Sequence, residues 1–241
     1  MRDQSPQGPE PERIGVIGGT FDPPHYAHLV LAENGLAQLH LDRVLFVPAG
    51  RPPHKPDEPI TPVDHRLAML DEAIADNASF CLSRVDVERR GPHFTVDMLR
   101  ILDEDYPDAI IFFLMGGDSL AEFTTWRDPA GILEQARLAV MRRPGSETDL
   151  SALRETLPSI SDRLVWLDAP YLEISGTDLR RRVSEGLPIR YLVPPGVGAY
   201  IRHSGLYASR KATVARRQVG RGEAQARDHR HLSCSSSESR C

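Results

Sequence analysis

Six short apolar runs constrain this chain more than any other feature. Residues 13–18 (RIGVIG), 43–48 (RVLFVP), 80–87, 109–115, 138–141 and 164–167 are rich in β-branched, aliphatic and aromatic side chains. Between them, apolar residues recur with the helical period: Leu29, Ala32, Leu36 and Leu39; Leu67, Leu70 and Ile74; Phe94, Met98, Ile101 and Leu102 within residues 93–103; and residues 149–157. Strand, helix and strand in alternation is the pattern of parallel βαβ units. Six such strands predict one doubly wound α/β domain with a parallel sheet. Residues 109–115, the most apolar run, are expected at its centre. Thr61-Pro62-x-Asp64 reads as a helix start, with Thr61 as N-cap and Pro62 in the first helical position. Small helices are expected at 176–185 and 196–204, and the folded part is expected to end near Tyr207. This reading divides the chain into a flexible segment 1–12, a domain 13–207 and a tail 208–241.

Composition narrows the class. A chain of 241 residues that is 40% hydrophobic and 26% charged can bury a core, which argues against wholesale disorder. No apolar run approaches the roughly 20 residues of a membrane helix, and the polar, Pro-rich first dozen residues lack the apolar core of a signal peptide. Three cysteines, Cys81, Cys234 and Cys241, exclude a disulfide scaffold and a cysteine-rich zinc module, and suit a reducing cytoplasm. The net charge of −5 conceals two parts. Residues 208–241 carry eight basic and three acidic groups, leaving 21 basic and 31 acidic groups on residues 1–207. That tail has no Ile, Phe, Tyr or Trp and ends in Ser-rich low complexity, so it is read as disordered. Its arginines lack interleaved aromatics, so no specific nucleic-acid partner is expected. Only Lys55 and Lys211 among the 29 basic residues are lysine.

Ligands of open parallel sheets bind beyond the carboxyl ends of the strands. The first such loop is Gly18-Gly19-Thr20-Phe21-Asp22-Pro23-Pro24-His25-Tyr26-Ala27-His28. It is neither a Walker A loop nor a G-x-G-x-x-G dinucleotide loop. The glycine pair permits close approach of a ligand to the backbone. Two prolines stiffen the turn, and His25 and His28 stand one turn apart at the start of a helix whose N–H groups are free for an anion. Three readings of the histidine pair stay open: a Pro-rich turn with solvent-facing rings, a metal pair short of further ligands, and a phosphate-binding donor pair. A second loop, Ile174-Ser175-Gly176-Thr177-Asp178-Leu179-Arg180, offers hydroxyls, helix N–H groups and a guanidinium, either as ordinary capping or as a phosphate cradle. Arg181 and Arg182 are expected on other faces, solvated or salt-bridged.

Together these strings resemble the nucleotidylyltransferase superfamily, marked by a (T/H)-x-G-H loop and an S-x-T-x-x-R loop. Within it the chain is similar to bacterial nicotinate-nucleotide adenylyltransferases. The likeness runs from about Arg13 to Ile201 and includes GGTFDPPHYAH, VPAGRPPHK, ERRGPHFTVDML, FFLMGGDSLAEFTTWRDP, ISGTDLR and IRYLVPPGVGAYI. It implies a Rossmann-like single domain, ATP and nicotinate mononucleotide as substrates, and Mg²⁺ carried by ATP with few or no protein ligands. It implies that His25, His28 and Arg180 are catalytic. ATP is expected against Gly18, Gly19, Thr20, Phe21, His25, His28, Gly116, Asp118, Ser175, Thr177 and Arg180, with Asp118 taking a ribose hydroxyl or capping a helix. The mononucleotide is expected against Lys55, Thr95 and Trp126, with Trp126 stacked on the pyridine ring. Arg142 is a further nucleotide contact in this reading, while Trp166 belongs to the core and His54 to a loop. The chain departs from the family pattern at Ala27, where glycine is common, and at Phe94, where tyrosine is common. Spacing alone leaves open the same chemistry on nicotinamide mononucleotide, and a nucleotide-binding regulatory module without turnover. Nothing in the sequence speaks to oligomeric state.

Overall fold

The computed structural model describes residues 10–50, 60–142 and 150–209. Six strands, β1 (Arg13–Gly19), β2 (Arg43–Pro48), β3 (Phe80–Leu82), β4 (Ile110–Gly116), β5 (Arg137–Met141) and β6 (Leu164–Leu167), form one sheet in the order β3-β2-β1-β4-β5-β6. Every pairing is parallel. This is the 3-2-1-4-5-6 order of the doubly wound fold, whose direction reverses between β1 and β4 and opens a crevice there. The six runs anticipated from sequence each contribute a strand, and β4 lies in the middle of the sheet.

The helices are α1 (Tyr26–Gln38), α2 (Val63–Ile74), α3 (Val85–Glu88), α4 (Thr95–Asp105), α5 (Gly117–Ala121), α6 (Pro129–Gln135), α7 (Leu150–Thr156), α8 (Ile160–Arg163), α9 (Gly176–Ser184) and α10 (Pro195–Ser204). A 3₁₀ turn covers Phe123–Thr125. Successive residues of a strand face opposite sides of the sheet, so each strand feeds two cores. Ile17, Phe46, Phe112 and Leu114 pack with Leu31, Ala32, Met69 and Leu70 of α1 and α2. Val16, Leu45, Phe113 and Met115 pack on the other face with Leu99, Leu102, Phe123 and Ile132.

Several local expectations need correction. The third strand ends at Leu82 instead of continuing to Val87, because residues 85–88 coil into α3 and pair Asp86 with Arg89 three residues on. Thr61 does not cap α2; Pro62 is the N-cap, because Thr61 gives its N–H to Asp22 Oδ2 and its carbonyl to Arg66. The helix placed at 93–103 covers Thr95–Asp105, with Phe94 extended as its N-cap. Its deepest residues are Val96, Met98, Leu99 and Leu102, while Ile101 and Phe94 are half-buried. In α1 the buried positions are Leu31, Ala32 and Gly35, with Leu29 and Leu36 only partly covered. The short elements between β4 and β5, and α8, carry no strong periodicity and escape sequence reading. Asp118 is not a cap: Gly116 is the N-cap of α5, and Asp118 lies in its first turn. Trp166, expected in the core, does pack against it from β6, half-buried and with the Arg142 guanidinium 4.8 Å from its ring centre. The proposed segment 1–12 and tail 208–241 lie largely outside the described residues.

Candidate active site

Two clefts open at the carboxyl end of β1 and meet at Thr20. One, of about 240 Å³, lies between the β1–α1 loop and the start of α9 and is lined by Thr20, Phe21, His25, His28, Ser175, Thr177 and Arg180 together with Asp22. Most residues anticipated around ATP phosphates are thereby brought together, although the two loops are about 150 residues apart in sequence.

His25 is the N-cap of α1, extended at φ −150° and ψ 168°, and is only 6% exposed. Its ring stacks on that of His28, with centroids 3.8 Å apart, and Phe21 meets His28 edge-on at 4.9 Å. The His25 backbone N–H donates to His28 Nδ1 at 3.2 Å. An accepting Nδ1 leaves the proton of a neutral imidazole on Nε2, so His28 presents a hydrogen-bond donor from that nitrogen. Burial lowers the His25 pKa to about 4. Burial also lowers that of His28 well below 6.5, helped by the neighbouring His25. Both rings are neutral near pH 7, which is what permits them to stack. His25 Nδ1 is buried without a hydrogen-bond partner. Such an atom costs about 1–3 kcal/mol and belongs to the kind of strain that functional sites retain.

The expectation that the first N–H groups of α1 are free is only partly met. The Tyr26 N–H donates to the Leu192 carbonyl at 3.2 Å, and that of His28 turns to the His25 carbonyl at 3.0 Å. Ser175 caps α9 by accepting from the Asp178 N–H at 3.2 Å. Thr177 instead steadies Arg180, whose Nη2 donates to Thr177 Oγ1 at 3.3 Å and whose Nη1 donates to the Asp22 carbonyl at 2.7 Å. The two loops touch because residue 176 is glycine: a Cβ there would sit 2.8 Å from the Asp22 carbonyl oxygen. Arg181 is tied to Asp178 and Glu185 on the outer face, as the sequence suggests.

Behind these loops stands a network that the sequence does not announce. Asp22 is 5% exposed and accepts from Tyr207 Oη on Oδ1 and from the Thr61 N–H on Oδ2. Burial and the bond to Asp22 raise the Tyr207 pKa, so the phenol keeps its proton. Arg66, 1% exposed, donates to four carbonyls: Thr61 from Nε at 3.0 Å, Thr20 and Ala49 from Nη1 at 2.9 Å, and Gly50 from Nη2 at 3.0 Å. It binds the ends of β1 and β2 to α2. In sequence Arg66 reads as an ordinary helix position beside Leu67, with nothing to mark its partners.

The second cleft, of about 180 Å³, is lined by Gly18, Gly19, Thr20, Phe94, Thr95, Phe113 and Trp126, with Asp86, His93 and Arg127 among its polar groups. Gly18 and Gly19 line this cleft and not the histidine cleft. Trp126 is held edge-on by Phe113 at 6.0 Å and tilted against Phe123 at 5.6 Å. Thr95 opens α4. Burial raises the pKa of Asp86 against the opposing bond from Arg89 Nε at 2.6 Å. Gly116 and Asp118 line neither cleft and stand where β4 passes into α5. Lys55 and His54 lie outside the described residues.

A parallel sheet of this order, with a histidine pair after the first strand facing an arginine-bearing helix start, defines a nucleotide-handling protein of the cytidylyltransferase-like class, whose family model matches residues 16–182. The relatives narrow it further. Over 202 residues the chain is 50% identical to a probable nicotinate-nucleotide adenylyltransferase of Thermomicrobium roseum, covering 84% of this chain and 94% of that protein. A Roseiflexus sp. protein of the same description is 45% identical over 194 residues, 80% of this chain and 97% of its own length. The chain belongs to the nicotinate-nucleotide adenylyltransferase family. Its fold matches that of Plasmodium falciparum nicotinic acid mononucleotide adenylyltransferase complexed with NaAD, with a TM-score of 0.67 at 20% identity, over 81% of this chain and 97% of that one.

Proposed function

We propose that the protein transfers the adenylyl group of ATP to nicotinate mononucleotide, giving deamido-NAD and pyrophosphate. The observation that carries this reading is the pair of clefts joined at Thr20, one lined by imidazoles, hydroxyls and a guanidinium and one by aromatic walls. The relatives named above carry the same activity in their descriptions.

Both substrates are polyanions, so the enzyme's task is to neutralise charge and align an oxygen of the mononucleotide 5′-phosphate with the α-phosphorus of ATP. The attacking phosphate is already ionised at neutral pH and needs no base. In this account His28 Nε2–H and His25 donate to phosphate oxygens of ATP as the α-phosphorus is attacked. Arg180, Ser175 and Thr177 take the β and γ phosphates and hold the pyrophosphate as it leaves. Arg180 is preorganised for that role by its bonds to the Asp22 carbonyl and Thr177. Trp126 stacks on the pyridine ring, the first turn of α4 at Thr95 faces the ring substituent, and Asp118 takes a ribose hydroxyl. Lys55 is assigned to the mononucleotide phosphate on the family likeness alone.

Mg²⁺ fits as a companion of ATP. Among the described residues no cluster of three or more His, Cys, Asp or Glu is placed to hold a metal. The carboxylate lining the histidine cleft, Asp22, has both oxygens engaged. An ion arriving with ATP would keep phosphate and water ligands, as Mg²⁺ commonly does. The test is pyrophosphate release from ATP and Mg²⁺ with each mononucleotide in turn. Release with the nicotinate form supports the reading; tight ATP binding without release for either acceptor favours a regulatory module, and release with the amide form alone overturns the choice of acceptor.

A further inference from the structure

We infer that the Arg127 side chain is a specificity determinant, selecting the acid mononucleotide over its amide by setting a positive charge beside the pyridine end of the Trp126 cleft. This rests on the reading that the cleft takes the mononucleotide. The cleft is a slot for a flat ring, with Phe94, Phe113 and Trp126 in its walls. Its charged lining groups are few. Asp86 is buried and closed against Arg89 at 2.6 Å, and Arg89 also donates to the carbonyls of Pro92 and Phe94. That pair offers the ligand little net charge. Arg127 differs: its guanidinium lies 5.8 Å from the centre of the Phe94 ring, and no carboxylate among the described residues is paired with it. Among the described residues that line the cleft, Arg127 is therefore the guanidinium available to a ligand.

Its placement fits the chemistry that separates the two acceptors. Phe94 is the N-cap of α4, so Arg127 stands over the residue that begins that helix, whose N-terminal dipole end is also positive. The acceptors differ in a carboxylate against a carboxamide. A guanidinium has donors and no acceptor. It gains charge-assisted bonds from the carboxylate, whereas the amide's NH₂ finds nothing to donate to. Spacing in the sequence conceals this. Arg127 lines the slot immediately before Asp128, which turns the chain at φ 49° and anchors α6 by accepting from the Gly131 N–H at 3.1 Å. Arg127 is itself exposed, so its effect is screened and of the order of tenfold, well short of an all-or-none gate.

The experiment is steady-state pyrophosphate release by the full chain with ATP and each mononucleotide, for the parent, Arg127→Gln and Arg127→Lys. Arg127→Gln is expected to lose about tenfold in kcat/KM for the acid, chiefly through KM, and less than about twofold for the amide. Arg127→Lys keeps most of the preference, and added salt narrows the gap between the parent and Arg127→Gln on the acid. An unchanged acid-to-amide ratio in an active Arg127→Gln overturns the inference and leaves adenylyl transfer standing. An equal loss on both acceptors also overturns it, because the charge would then be serving the shared phosphate. Absence of turnover by the parent on either acceptor overturns adenylyl transfer itself, and this role with it.

Discussion

His25 and His28 stack at 3.8 Å as neutral rings, their charged forms disfavoured by desolvation at a buried His25 and a half-buried His28 beside it. In this account their value lies in donating from preset positions, a role that needs no titration near pH 7. His28→Ala removes the Nε2 donor; kcat is expected to fall by at least about a hundredfold while the urea unfolding midpoint moves little. Steady-state kinetics and denaturation on the same preparation check both halves. The buried histidine also leaves a pH signature. His25 titrates near 6.5 when unfolded and at about 4 when folded. Between those values the unfolded chain binds the extra proton, so stability is complete above pH 6.5 and declines as pH falls towards 4. The full contribution is about 3 kcal/mol. The stability of His25→Asn, whose asparagine keeps an N-cap, should decline less between pH 7 and 4 than that of the parent. Parallel pH slopes for the two proteins would remove His25 as the cause.

Among elements, the carboxyl ends of β1 and β2 and the start of α2 are held together by one buried guanidinium. Arg66→Leu strands four main-chain carbonyls, and an unfolding free energy lower by at least about 3 kcal/mol is expected in urea titrations. Arg66→Lys keeps the charge but reaches fewer carbonyls and should fall between the two. This network also marks the limit of what residues reveal on their own. The strands are legible because a buried parallel strand must be a continuous apolar run, and residues 109–115 are the clearest case. The histidine loop and the Ser175–Arg180 loop are legible as short motifs. Residues 85–88 are misleading, because Val85-Asp86-Val87 alternates as a strand does, yet the chain makes a single helical turn there whose Asp86 pairs with Arg89 just beyond it. Arg66, Tyr207 and Asp22 form contacts across 46, 185 and 39 residues, which no local pattern encodes. Arg127 is hidden for the same reason.

For the whole molecule, the opposing fact is charge. The chain carries −5, and its residues before 208 are more acidic still, yet the proposed reaction assembles two polyanions in one crevice. The fold answers this by bringing neutral donors, helix starts and single guanidiniums together at the reversal of sheet order, so the local field departs from the net one. The far end of the domain takes part, since Tyr207 reaches back to Asp22 of the histidine loop. A chain ended at Ser209 should therefore retain kcat and melting temperature within experimental scatter. One ended at Ser204 should lose activity and melt several degrees lower, in thermal scans run beside the turnover assay. Equal behaviour of the two truncations would separate the Tyr207 contact from the site. Transfer of an adenylyl group moves the α-phosphorus of ATP onto the mononucleotide, so labelling that atom follows the reaction itself. With ATP labelled at that atom, Mg²⁺ and nicotinate mononucleotide, label is expected in a dinucleotide and none in the released pyrophosphate. Label recovered as AMP, or left in ATP while the mononucleotide persists, would contradict it.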